Sequence, residues 1–117
     1  AKDLGLLAIP GVATATEVQA AFAAGYRLLK VFPAGTLGGP QLVSSLAEVY
    51  PEVQFMPSGG VNATTMRSYL SLGPCIAAVS GTWLTQAAGA AEAAPEVVRQ
   101  RCDHARSIVE FEASCRW

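Results

Sequence analysis

Short apolar runs recur along the chain, each closed by glycine or proline and followed by a stretch with helical spacing. They cover residues 6–9 before Pro10 and Gly11, 28–32 before Pro33, 53–56 before Pro57-Ser58-Gly59-Gly60, and 76–79 before Ser80-Gly81-Thr82. The closing elements lie roughly 22 to 26 residues apart, the length that one strand, one helix and two short loops require. The segments between them carry helix punctuation. Thr14 and Glu17 have the spacing of a capping box and Gly25 stands where a helix would stop, which predicts a helix over 15–24. Pro40 suits the first turn of a helix with Leu42, Val43, Leu46 and Val49 inward, ended by Pro51. Asn62 suits the N-cap of a third helix carrying Met66, Tyr69 and Leu70, closed by Gly73-Pro74. Pro95 opens a fourth, with Val98, Cys102, Ala105, Ile108 and Val109 at helical spacing and Arg99, Asp103, Arg106 and Glu110 facing water.

Nearly wholly apolar strands alternating with helices predict an α/β domain with a parallel sheet, spanning residues 1–117 as one unit. In such folds ligands bind where strands run into helices, which selects residues 10–14, 30–39, 57–62 and 80–83 as the functional candidates.

Lys30 is the anomaly among them. It interrupts the run Leu28-Leu29-Lys30-Val31-Phe32, and period-two alternation puts Leu28, Lys30 and Phe32 on one side. Burial in general favours the neutral amine of a lysine, and a neutral amine attacks carbonyls to form Schiff bases. By itself the pattern suits better a lysine whose stem packs along the strand while its head reaches water. Pro57-Ser58-Gly59-Gly60-Val61-Asn62 lets the backbone approach a bound group ahead of a helix, an arrangement that favours an anion; Ser80-Gly81-Thr82-Trp83 repeats it one strand later. Each loop taken singly reads first as a tight turn, and it is the pair at successive junctions that suits a phosphate site. His104 reads as a solvated helix residue, Glu17 as a helix cap, Arg27 as solvated or intersubunit, and Phe32 and Trp83 as packing residues at the mouth.

The 117 residues are 51% hydrophobic and 15% charged, with eight Lys and Arg against nine Asp and Glu. Without a basic surplus, neither nucleic acid nor a membrane surface is an expected partner. Three cysteines, Cys75, Cys102 and Cys115, form neither an even disulfide set nor a metal-ligand spacing. Together with an amino terminus lacking a signal-peptide pattern, they predict a cytoplasmic protein without a structural metal.

The strings themselves resemble a known family. Ile9-Pro10-Gly11-Val12-Ala13-Thr14, Gly25-Tyr26-Arg27-Leu28-Leu29-Lys30-Val31-Phe32-Pro33-Ala34, Pro57-Ser58-Gly59-Gly60-Val61 and Gly81-Thr82-Trp83-Leu84 look like the second half of 2-keto-3-deoxy-6-phosphogluconate aldolase, in its order and near its spacing. The resemblance implies a class I aldolase that uses no cofactor or metal, splits a phosphorylated keto acid into pyruvate and glyceraldehyde 3-phosphate, and assembles as a homotrimer. It implies the C-terminal half, four β/α units, of a TIM (β/α)8 barrel, with the first half and its general-base glutamate absent from this chain. Lys30 matches the Schiff-base lysine and Phe32 the aromatic residue lining the pyruvate end. Gly59 and Gly60 match the phosphate-binding pair, Ser58 a position where the family often has Thr, and Gly81 and Thr82 the phosphate-contacting last loop. The chain departs in having Pro33-Ala34-Gly35 where the family commonly has Pro-Ala-Glu, and one extra residue before the last loop. Neighbouring readings are a 4-hydroxy-2-oxoglutarate or phosphogalactonate aldolase, and a non-catalytic half-barrel that binds sugar phosphates.

Overall fold

A computed structural model describes residues 4–87 and 91–114. Cys115 and the first three residues, which entered the reading of compartment, lie outside this range. In order, the elements are β1 (Gly11–Val12), α1 (Ala15–Ala23), β2 (Leu28–Val31), α2 (Gly39–Val49), β3 (Gln54–Pro57), α3 (Met66–Leu70) and α4 (Pro95–Ser114). Two 3-10 turns, Gly73–Cys75 and Thr82–Leu84, stand between α3 and α4. No helix among the described residues is long and apolar enough to cross a membrane.

The strands form one parallel sheet in the order β1-β2-β3. Its register aligns Gly11 with Lys30 and Lys30 with Met56, then Val12 with Val31 and Val31 with Pro57. Alternation divides the sheet into two unlike faces. Val12, Leu29, Val31, Phe55 and Pro57 are buried, in one core with Val18 of α1, Val43 and Leu46 of α2, Tyr69 and Leu70 of α3 and Ile108 of α4. On the opposite face Leu28, Lys30 and Met56 are half-buried and Gly11 and Gln54 exposed.

This corrects the expected half of a (β/α)8 barrel with four β/α units. The described chain is a small α/β domain with a three-stranded parallel sheet. The run at 6–9 forms no strand: Leu6 and Leu7 are exposed, and pairing with β2 starts only at Pro10, whose carbonyl accepts the Lys30 N–H at 2.8 Å. The run at 76–79 meets β3 through two isolated parallel bridges, Phe55 with Ile76 and Ser58 with Ser80. Ala77 and Ala78 between them are exposed, and so add little buried apolar area to hold a continuous ladder.

The helices start where local chemistry dictates. Thr14 caps α1: its Oγ1 accepts the Glu17 N–H at 3.3 Å, while the Glu17 carboxylate accepts the Ala13 and Thr14 N–H groups at 2.7 and 3.0 Å. Pro40 stands in the first turn of α2, where a missing N–H costs nothing. Asn62 Oδ1 accepts the Thr64 and Thr65 N–H groups, which caps the turn leading into α3 rather than the helix itself. In α4 the inward stripe is Val98, Arg101, Ala105, Ile108 and Glu112, whereas Cys102 and Val109 are exposed. Glu112 pairs with Arg67 of α3 at 3.8 Å, and the Arg67 guanidinium lies over the Phe111 ring.

The hydrogen bonds from Ala13, then Thr14, hold the Glu17 carboxyl below the usual carboxylate range, outweighing a slight opposing effect of burial. A depressed carboxyl contributes stability above its unfolded-state pKa and loses it as pH falls through the folded-state value. Glu17→Gln should therefore lower the urea midpoint at neutral pH, with the gap to the parent chain closing towards about pH 3. Thr14→Ala should cost about 1 kcal/mol in the same measurement.

Candidate active site

Lys30 lies in the middle row of the sheet, between Gly11, which has no side chain, and Met56. The apolar run predicts Lys30 near the end of an otherwise buried strand, with its amine either in apolar surroundings or reaching water at the strand end. The structure puts it, half-buried, on the sheet face opposite the core residues Leu29 and Val31. Its Nζ is 5.5 Å from the centroid of the Phe32 ring. Such a contact contributes about 0.5–1 kcal/mol at an exposed site, enough to bias the side chain towards the ring without immobilising it. Among the described residues no carboxylate lies within ion-pair distance of this amine. Phe32 is 54% exposed, a mouth residue rather than a core one.

Residues 58–60 arrive beside Phe32 because the backbone crosses there at very short range. Ser58 donates its N–H to the Val31 carbonyl at 2.9 Å, and its own carbonyl accepts the Ala34 N–H at 2.7 Å. Gly35 donates to the Gly59 carbonyl at 2.9 Å. A Cβ on Gly59, whose φ is +83°, would lie 3.0 Å from both Phe32 Cε2 and Pro33 Cα. Gly60 has φ +78°, and a Cβ there would lie 3.3 Å from Gly35 Cα. Gly35, where the resemblance expects glutamate, is itself crowded: a Cβ would meet the Gly59 carbonyl oxygen at 3.1 Å. Both glycines of the pair are thus required by conformation and by space.

The loop after residue 80 packs directly on this one. A Cβ on Gly81 would fall onto the Val61 carbonyl oxygen and lie 2.8 Å from Trp83 Cδ1. Thr82 is exposed and begins the turn Thr82–Leu84. A line of contacts therefore runs from the Lys30 amine through the Phe32 ring to Gly59, and from Val61 to Gly81. It brings the sequence-predicted residues together at the carboxyl ends of the strands. Ser58 is buried and joins this edge through its backbone bonds and its bridge to Ser80. Among the described residues, the Gly60, Gly81 and Thr82 N–H groups have no hydrogen-bond acceptor.

Two supporting residues, Thr65 and Arg101, were not recognised in these roles from the sequence. Thr65 Oγ1 donates to the Gly60 carbonyl at 3.3 Å and accepts the Asn62 N–H at 3.0 Å, fastening the glycine pair to the start of α3. Arg101 of α4 donates from Nη1 to the Trp83 and Gln86 carbonyls at 2.6 and 2.7 Å. Its position at i+3 from Val98 and i−4 from Ala105, on the inward stripe, was the available signal.

A family model described as KDPG and KHG aldolase matches residues 1–99. The chain is 38% identical over 84 residues to a 2-dehydro-3-deoxy-phosphogluconate aldolase of Pseudomonas aeruginosa, covering 72% of this chain and 38% of that relative. A solved structure of a 4-hydroxy-2-oxoglutarate/2-dehydro-3-deoxyphosphogluconate aldolase superposes with a TM-score of 0.81 at 36% identity, over 92% of this chain and 50% of that one. The KDPG aldolase of Legionella pneumophila, solved with pyruvate captured as a covalent carbinolamine intermediate, gives a TM-score of 0.63 at 31% identity. That match covers 89% of this chain and 45% of the Legionella chain. The chain thus spans half or less of the length of these relatives.

Gly59→Ala should force the Phe32 ring away from the loop and strain a positive φ, lowering stability by about 1–3 kcal/mol in urea denaturation. Gly11→Ala, where nothing lies within 4 Å of a Cβ and φ is not positive, should change it by less than about 0.5 kcal/mol.

Proposed function

The chain belongs to the KDPG and KHG aldolase family, and from that premise we propose that it carries the amine nucleophile and phosphate anchor of a Schiff-base aldolase. The observation that carries this reading is the placement of the Lys30 amine 5.5 Å from the centroid of the Phe32 ring, which borders the Gly59 backbone. Nucleophile and glycine loop thereby face one mouth.

In this reading the Lys30 amine adds to the C2 carbonyl of a 2-keto-3-deoxy-6-phospho acid, giving a carbinolamine that loses water to an iminium. A general base, which none of the seven assigned residues provides, takes the C4 hydroxyl proton. The C3–C4 bond then breaks, its electron pair passing into the enamine, and glyceraldehyde 3-phosphate leaves. Protonation of the enamine at C3 and addition of water release pyruvate and restore the amine. Phe32 lines the pyruvate end. The Gly60, Gly81 and Thr82 N–H groups, with Ser58 and Gly59 shaping their loop, hold the phosphate and so fix the reacting carbon over Lys30. The carbinolamine named for the Legionella relative supports the lysine chemistry. The resemblance supports a homotrimer, and cysteine usage a cytoplasmic location.

The family description also names KHG. A phosphate-free substrate of that kind would use Lys30 and Phe32 but make no demand on the glycine loops, so the two substrates separate the two halves of the site.

Borohydride reduction in the presence of pyruvate should attach one three-carbon adduct to the chain, located at Lys30 by peptide mass spectrometry and lost in Lys30→Ala. A folded chain that takes no adduct, or an adduct that persists in the variant, rejects the assignment.

A further inference from the structure

We propose that Arg101 is a positioning residue for anion binding, holding the Gly81–Thr82 loop in register with the Gly59–Gly60 loop from the outside. The inference rests on the phosphate reading of those loops given above and adds a residue to it. A single nitrogen, Arg101 Nη1, donates to two carbonyls, Trp83 at 2.6 Å and Gln86 at 2.7 Å. One guanidinium nitrogen carries two hydrogens in a fixed plane, so both are used and the angle between the two carbonyls is set by the side chain.

These carbonyls belong to Trp83, the middle residue of the turn Thr82–Leu84, and to Gln86, two residues past it. The Thr85 and Gln86 N–H groups both return to the Thr82 carbonyl, at 3.0 and 2.9 Å. The turn is too short to satisfy its own last carbonyls, as at any helical C-terminus, and the charged donor from α4 supplies what it lacks. Arg101 is half-buried and α4 is anchored to the core by Ile108, so the donor is not a freely swinging surface group.

On the inner side the same turn begins with Gly81 against the Val61 carbonyl and with the Gly81 and Thr82 N–H groups, which have no acceptor among the described residues. The turn is therefore gripped at its outer end by a cation and at its inner end by close backbone packing. Arg101 meets neither the mouth nor its donors; it acts through the orientation of the turn.

The test uses the full chain with Arg101→Met, which keeps the stem and removes the donors, and Arg101→Lys, which restores one charged donor. In the ligand-free chain, amide exchange at Thr85 and Gln86 should rise about tenfold or more in Arg101→Met and partly recover in Arg101→Lys, while Ser58 in the β3 ladder stays unchanged. Inorganic phosphate, titrated by calorimetry, should bind Arg101→Met about tenfold more weakly, with recovery in Arg101→Lys. Pyruvate trapping at Lys30 should be unaffected in both. Unchanged exchange at Thr85 and Gln86 overturns the inference, as does faster exchange with phosphate affinity intact. A parent chain that takes no phosphate overturns the phosphate reading and this inference with it, which separates that failure from the other two.

Discussion

Where residues 58–60 cross residues 32–35 the two backbones lie so close that side chains are excluded, and most of the mouth is arranged around that crossing. Two hydrogen bonds, from Ala34 to Ser58 and from Gly35 to Gly59, close it at 2.7 and 2.9 Å. With no Cβ at 59, the Phe32 ring lies flush against the loop, and the ring in turn gives the Lys30 amine its aromatic neighbour. Continuing from the same crossing, Val61 presents its carbonyl to Gly81. Position of the amine, shape of the glycine loop and placement of the last turn are consequences of one tight approach.

The sheet that carries this crossing is built asymmetrically. Its helix-covered face holds Leu29, Val31, Val53 and Phe55 at or near zero exposure, so the strand positions are determined by packing that tolerates little movement. Lys30 stands on the opposite face, with Leu28 and Met56 half-buried beside it. The stiffness of its strand comes from Leu29 and Val31, its buried neighbours in the chain.

Support for the last loop comes from a different part of the chain than the loops themselves. The family match ends at residue 99, while α4 runs from Pro95 to Ser114. Arg101, Ile108 and the Glu112 to Arg67 pair are thus contributed by sequence beyond the matched stretch. The mouth therefore combines strings inside the matched stretch with a helix that extends past it.

Much of this was legible without coordinates. The apolar runs at 28–32 and 53–56, the capping box at Thr14 and Glu17, Pro40 at the start of α2 and Pro95 at the start of α4 follow from local rules of alternation, capping and φ restriction, which depend on neighbours in the chain. The anomaly of Lys30 and the glycine pair at 59 and 60 are visible for the same reason. What local rules do not contain is whether a run finds a partner. Residues 6–9 and 76–79 have the pattern of strands, yet one is unpaired and the other makes two isolated bridges, because a ladder needs a neighbour with buried area to match. Nor do they say which face of β2 is covered, or that an arginine on the apolar stripe of α4 meets two carbonyls some fifteen and eighteen residues earlier. The sequence by itself determined the chemical types and their local elements. Only the tertiary structure decided which runs join the sheet, which face of β2 packs against the helices and what holds the loops together, because those depend on contacts between residues distant in the chain.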